Sequence, residues 1–287
     1  MPCASFPKPR PADPARRRAL GACGALLLAG CAAPRSEAPL RFTKPLVLLG
    51  EVHDHPQQHA LRLAALREHL ATGARPALLM EQFDRPQQAA LDAALAAQRG
   101  PFMAPDLQAV IAAGQGPGRG AGWHWPFYEP FVALAMRHDL PVVAVNVGRD
   151  EARAVMRDGL AAHGFDAAVP GEVLAVLAAA IRDSHCGMVD EATARRMALA
   201  QVARDQQMAR ALTRHAARGA VLLAGNGHVR TDVGAPRWLD AATRARSEAI
   251  GVLEEGDPTR AYDRIVFTPP HPRPDPCAAM RQRAAPR

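Results

Sequence analysis

Glutamate and histidine recur in this chain where short apolar runs end. Leu46 to Leu49 leads into Gly50-Glu51-Val52-His53-Asp54-His55, and Ala77 to Met80 leads into Glu81-Gln82. Val142 to Val145 ends in Asn146, and Val221 to Ala224 ends in Gly225-Asn226-Gly227-His228-Val229-Arg230. Carboxylates and imidazoles move protons near neutral pH and ligate transition metals. Glu51, His53, Glu81 and His228 therefore admit two chemistries. As two imidazoles with two carboxylates they form a ligand set for a divalent transition metal, with positions left for water or substrate. As a hydrolytic centre, His53 and His228 bind the metal or serve as general bases while Glu51 or Glu81 activates water. The spacing Gly-x-x-His occurs twice, at Gly50 to His53 and Gly225 to His228. A glycine at that point permits a tight turn that swings the imidazole over the strand end. Asp54, ahead of Pro56, has the alternative role of a helix cap with proline at the first helical position.

These residues need a scaffold that collects strand ends at one edge, and the hydrophobic pattern supplies one. The apolar runs above, with Ile250 to Leu253 and Ile265 to Phe267, read as strands buried on both faces. Between them lie helical patterns over Gln57 to Ala71, Arg85 to Ala97, Pro130 to His138, Arg149 to Gly159, Pro170 to Arg182 and Asp190 to Arg218. The alternation predicts an α/β fold, three-layer, with a mostly parallel sheet flanked by helices over residues 45–268. In such sheets ligands bind outside the carboxyl ends of the strands, where the acids and imidazoles fall. Pro101 to Gly122 reads as a flexible loop, and the Pro- and Arg-rich residues 269–287 as a disordered tail. On the long helix Gln201, Arg204, Asp205 and Met208 share a face that is either solvated or partly buried. A guanidinium fork matches a carboxylate bidentately, which makes Arg204 and Arg230 candidates for holding an acidic ligand.

The 287 residues are 48% hydrophobic and 22% charged, as in a globular protein with a sizeable core. The net charge of +7 suggests nucleic acid until its placement is considered. Residues 1–30 carry five cations against Asp13 alone, so four of the seven charges sit there and three remain, which excludes nucleic acid as the partner. Arg16-Arg17-Arg18, an apolar run from Ala19 to Gly30 and then Cys31 form an export signal, too short to span a bilayer. Leu28-Ala29-Gly30-Cys31 is similar to a lipobox, so residues 1–31 are expected to be a lipoprotein signal, with Cys31 lipidated and 32–44 a tether. Ala32 after that cysteine, by resemblance to bacterial lipoprotein sorting, places the protein on the outer membrane facing the periplasm. Cys186 and Cys277 then remain as thiols in an oxidising compartment, able to pair although no spacing demands it.

LLGEVHDHPQQH, LLMEQFDRPQQ, GWHWPFYEPFVALA, PVVAVNVGRDEARAVMRDG, DSHCGM, MALAQVARDQQMARAL and VLLAGNGHVRTDVGAP follow in an order that resembles the ChaN-like family. These are bacterial lipoproteins assigned to haem binding and uptake, in a superfamily with Tiki-type metalloproteases and erythromycin-esterase-like proteins. The resemblance runs from about Leu46 to Leu239. It implies haem as ligand, binding without required catalysis, a homodimer that sandwiches paired haems, and an outer-membrane haem receptor as partner. A metal-dependent hydrolase built on Glu51, His53, Glu81 and His228 is the alternative within the superfamily. The resemblance also implies a tyrosinate iron ligand with a histidine nearby. Tyr128, in Trp123-His124-Trp125-Pro126-Phe127-Tyr128, is the first candidate, followed by His185 and His124.

Overall fold

Six aliphatic runs become six strands, and the longer amphipathic stretches between them become helices. The computed structural model describes residues 40–99, 106–115, 122–278 and 281. The export signal and Cys31 lie outside these residues, as do parts of the tether and of the loop expected after Pro101. The order is β1 (Leu46–Leu49), α1 (Pro56–Ala71), β2 (Ala77–Asp84), α2 (Gln88–Ala97), α3 (Leu107–Gln115), α4 (Glu129–Arg137) and β3 (Val142–Asn146). Then come α5 (Arg149–Asp158), α6 (Gly171–Ser184), α7 (Glu191–Arg214), β4 (Ala220–Leu223), α8 (Asn226–Val229), α9 (Ala241–Ala245), β5 (Ser247–Glu254) and β6 (Arg264–Thr268). The expected mostly parallel sheet is present, in the order β3-β2-β4-β1-β5-β6, with every described pairing parallel.

Alternate residues of each strand feed two cores, as the pleat requires. Val47, Leu49, Leu78, Met80, Val221 and Leu223 pack on one face with Leu66 of α1 and Phe131 of α4. Leu46, Leu48, Leu79, Val143 and Leu222 pack on the other with Met208 and Leu212 of α7. This is the three-layer arrangement. Each large aliphatic side chain sealed in it contributes about 1.5–3 kcal/mol.

Three local expectations need correction. Residues 107–115, read as part of a loop, form α3, where Val110 and Ile111 are buried. The cap of α1 is His55, whose Nδ1 accepts from the Gln58 N–H at 3.4 Å, with Pro56 at the first position as anticipated. Asp54 is exposed and pairs with Arg273 at 2.9 Å instead. The tail expected to be disordered is tied down as far as Ala278. The Pro269 carbonyl accepts from the His55 Nε2–H at 2.9 Å, Arg273 also pairs with Glu254 at 2.7 Å, and Cys277 forms a disulfide with Cys186.

That disulfide links positions 91 residues apart, so it removes a large loop entropy from the unfolded chain. The Cys186→Ser/Cys277→Ser variant should lose about 4 kcal/mol of stability. Guanidinium unfolding of the two proteins checks this; equal midpoints would show that the bonds of Arg273 and His55 alone anchor the tail.

Candidate functional site

The chain leaves β1 over β4 to reach β2, and leaves β4 over β1 to reach β5. These crossovers run in opposite directions, so the loops part at the carboxyl ends of β1 and β4, which is where such a sheet opens a crevice. Both Gly-x-x-His segments sit there. Their glycines do not do what the spacing suggested: Gly225 has φ −61°, and Gly50 is not among the described glycines with positive φ. Each instead makes room for the opposite loop. A Cβ on Gly50 would collide with the Asn226 side chain, and one on Gly225 would fall 2.9 Å from His53 Cε1. Asn226 donates to the Val252 carbonyl at 2.6 Å and accepts from the Val252 N–H at 3.1 Å, locking the β4 loop to β5.

Glu51 is the hub of the first cluster. Its carboxylate is fully buried and meets the guanidinium of Arg62, which α1 carries on its buried stripe. The Tyr128 hydroxyl donates to Glu51 Oε1 at 2.6 Å, and His53 Nδ1 lies 2.8 Å from the same oxygen. Arg62 also donates to the Leu49 carbonyl at 3.2 Å. Burial pulls the Arg62 pKa down to about 10, leaving it charged at neutral pH. Burial pushes Tyr128 above the ordinary phenol range, so it keeps the proton that it donates. His59, stacked on Phe127 at 4.5 Å, is lowered by burial to about 4 and is neutral. With its Nδ1–H on an ionised carboxylate, a neutral His53 carries its lone pair on Nε2, and its side chain is 49% exposed. That is the arrangement of a general base or a metal ligand fixed in one tautomer.

The second cluster is a relay across α7, β2 and the β4 loop. His228 Nδ1 lies 2.7 Å from Asp205 Oδ1, its Nε2 lies 3.5 Å from Glu81 Oε1, and Glu81 Oε2 accepts from the Gly225 N–H at 2.8 Å. Burial lowers the His228 pKa, but the two carboxylates outweigh it and raise it to about 10. Burial raises Glu81, yet His228 and the Gly225 amide hold it well below the usual carboxylate range. Burial wins at Asp205 and pushes it up.

The expected ligand set is thus brought to one crevice but not arranged as one. Among the described residues no group of three or more His, Cys, Asp or Glu is placed to hold a metal ion. The physical reason is that the donors already have partners. Glu51 is taken by Arg62 and Tyr128, Glu81 by His228 and Gly225, and His228, protonated between two carboxylates, has no lone pair to offer.

An open cleft of about 760 Å³ lies beside these clusters, within the size range of ligand pockets. Gln82 and Asp84 of β2 and Asn146 of β3 line it, with Arg149, Arg153 and Met156 of α5, Met197 and Arg204 of α7, and Trp123. Trp123 meets His53 edge-on at 4.9 Å. Arg204 lines this cleft. Arg230 does not, because its guanidinium is bonded to Asp232 at 2.6 and 2.9 Å. Tyr128 is fully buried, with its hydroxyl on Glu51. His124 is exposed and packs on Phe127 at 4.5 Å. His185 caps α6, its Nδ1 2.8 Å from the Ile181 carbonyl, and does not line the cleft.

Arg62, central to the site, escaped the sequence reading, and Asp205 was placed there only on a helix face whose burial stayed open. Arg62 continues the stripe His59-Arg62-Leu66-Leu70, and Asp205 continues Ala198-Val202-Asp205-Ala209-Leu212, all buried. A charge on an apolar helical stripe is the signal that finds them.

Removing one partner of a buried pair strands the other, so Glu51→Gln should cost about 3–5 kcal/mol, and Glu51→Leu with Arg62→Met much less. Urea unfolding of both variants tests this; a mild loss in the single variant would show the pair is not sealed. His228 binds its proton more tightly folded than unfolded, so its contribution is full below about 6.5 and is lost as pH rises through about 10. Stability should fall across that window, and His228→Gln should flatten the fall in a pH series of melts.

The model of the family described as haem-binding uptake, Tiki superfamily, ChaN matches residues 43–239. No curated protein matches the sequence. Among solved structures, cofacial haem-bound ChaN of Campylobacter jejuni is similar at 20% identity, over 77% of this chain and 86% of that one, with a TM-score of 0.62. An erythromycin esterase in its open conformation aligns at 14% identity over 74% of this chain and 71% of that one, with a TM-score of 0.43. The family model spans more than half of the chain, and the sheet order and strand-end clusters lie within it or pair with it, so this chain belongs to the ChaN family of the Tiki superfamily.

Proposed function

We propose that the protein binds haem in the cleft between α5 and α7, and that it does so as a lipid-anchored envelope protein in haem or iron uptake. The observation that carries the reading is the chemistry of the cleft lining. Haem is a flat apolar macrocycle with two carboxylates on one edge, and its iron accepts His, Met, Tyr or Cys. The lining offers the Trp123 ring, the Met156 and Met197 thioethers, and the guanidiniums of Arg149, Arg153 and Arg204, with half-exposed His53 at the border. These residues fit the group. Tyr128 supports the site from behind: iron would reach its oxygen only by displacing the bond to Glu51. In this reading Tyr128 and Arg62 hold Glu51, and Glu51 fixes the tautomer of His53.

Envelope location is supported by the Cys186–Cys277 disulfide, since such bonds persist in oxidising compartments. Cys31, lipidated, attaches the chain to the outer membrane, where a haem receptor is the partner that would supply it. Glu51–His53 favours a second reading, hydrolysis by a carboxylate-fixed imidazole base, which needs no metal site.

Titrating the purified protein with haemin should give a saturable Soret change with defined stoichiometry, and one haem per chain on a protein that sediments as a dimer would support paired haems in a homodimer. No saturable spectrum would remove the haem reading and leave ester hydrolysis, abolished by His53→Ala, as the assay to run. Cys31→Ser should move the protein from the membrane fraction to the soluble periplasmic fraction; unchanged fractionation would refute the lipid anchor.

A further inference from the structure

The parallel sheet gathers the amino ends of its strands at one edge, opposite the crevice. Leu46, Ala220 and Ala77 are partners across β1, β4 and β2, and two residues before each stands a cation: Lys44, Arg218 and Arg75. Arg246 directly precedes β5, the next strand beyond β1. Four neighbouring strands, about 4.8 Å apart, thus begin beside exposed cations in the sheet order Arg75, Arg218, Lys44, Arg246. Side-chain bonds tie the row together. Arg218 donates to the Arg75 carbonyl at 3.4 Å, and Lys44 donates to the Ala245 carbonyl at 2.9 Å. Arg214, in the last turn of α7, adds another cation.

None of these cations forms an ion pair among the described residues; where they bond, they bond to backbone carbonyls. Acids near this edge are engaged elsewhere, Glu248 by Arg264 at 3.4 Å and Asp263 by Arg244 at 2.6 Å. Exposed Glu68, in the last turn of α1, has Arg67 beside it in sequence. His215 registers the field: burial lowers its pKa first, and Arg214 and Arg218 lower it further. Beyond the carboxyl ends cations are neutralised, as Arg273 is by Asp54 and Glu254, and Arg85 by Glu151. Helix ends explain part of the pattern, since cations stabilise the C-termini of α7 and α9. No described helix precedes Lys44, so helix ends do not explain the row as a whole.

We infer that this amino-end edge docks on an acidic phospholipid surface, with the His53 crevice turned away from the bilayer. The docking rests on the lipid-anchor reading above, in which Cys31 holds the chain at a membrane. The chain enters the sheet through Arg41 to Pro45, at this same edge. Arg41 lies ten residues after Cys31, a reach of at most about 35 Å. Such a tether keeps the row within range of headgroup phosphates, where each Lys or Arg strengthens binding about five-fold. The row lies along one edge, so its charges meet a plane of phosphates together. The crevice and the cleft, at the carboxyl ends of the strands, then open away from the lipid.

The test uses the Cys31→Ser protein, which carries no acyl chain, so that charge alone can hold it. This parent should cosediment with vesicles of phosphatidylcholine containing phosphatidylglycerol, and not with phosphatidylcholine alone. Added salt should release it, since salt screens charges that face water. In the same background, Lys44→Gln/Arg75→Gln/Arg218→Gln should bind acidic vesicles on the order of 100-fold more weakly. Arg182→Gln/Arg195→Gln/Arg196→Gln removes as much charge from exposed positions of α6 and α7, and should bind as the parent does. Arg75→Lys/Arg218→Lys keeps the charge without the guanidinium fork and should also match the parent, and melting curves show that each variant is folded. Absent or phosphatidylglycerol-independent binding by the parent, or equal binding by the two glutamine triples, would overturn the docking. A lower melting point in the first triple would then assign its cations to the helix ends. The anchor is judged separately, by the fractionation of Cys31→Ser. Failure of the docking leaves that result untouched, and unchanged fractionation beside charge-dependent vesicle binding would refute the anchor alone.

Discussion

The structure around the crevice depends on the ion pair of Glu51 and Arg62, which lies wholly out of water. Neither charge is tolerable there alone, and their mutual attraction offsets desolvation only because further bonds complete both groups. Those bonds come from different elements. Tyr128, at the start of α4, gives its hydroxyl to Glu51, and Arg62 of α1 closes the end of β1 through the Leu49 carbonyl. Arg62 also lies over the Phe131 ring at 5.7 Å. One pair thereby ties β1, α1 and α4 at the sheet edge. His53, two residues beyond Glu51, inherits its orientation from that arrangement.

Most of the scaffold was legible because its periodicities are strong. β1 spans the residues expected, and the other strands differ by a few residues at their ends. The long helix over 191–214 begins at its acidic cap, with the Asp190 side chain accepting from the Thr193 N–H at 2.6 Å. The residues at the crevice were legible by type and by position, since strand ends in a parallel sheet share an edge. Their partners were not. Arg62 and Asp205 sit on helices whose other charges face water, so only their phase on the helix distinguishes them. The meaning of Gly-x-x-His was hidden for a different reason: Gly50 makes room for Asn226 and Gly225 for His53, contacts between loops far apart in sequence that neither segment reveals alone. The cleft draws its lining from β2, β3, α5, α7 and the Trp123 segment, so no single motif encodes it.

Side chains of one chemical class have thus been divided into two uses. Glu51, Glu81, Asp205 and His228 are nearly sealed and bonded to one another or to Arg62, Tyr128 and backbone. They resemble a reactive centre by composition, but their hydrogen-bonding capacity is turned inward. His53 is the exception at the boundary, with one nitrogen on Glu51 and half of its surface open. The cleft, by contrast, is lined by charges of both signs, with Asp84 and Asp150 beside Arg149, Arg153 and Arg204.

The two regions are electrically linked through α7. Asp205 and Arg204 are neighbours in sequence, about 100° apart around the helix, and one enters the relay while the other lines the cleft. The relay holds two carboxylates around a single imidazolium, which leaves it an excess of negative charge while Asp205 is ionised. Arg204 is part of what favours that ionised state, and by reciprocity the field of Asp205 favours the guanidinium in place. Burial raises Asp205, so the support weakens as the carboxylate takes up a proton. The compensating charge lies one helical residue away, inside the protein, while Arg204 itself is held from the other side by Asn146 at 3.1 Å.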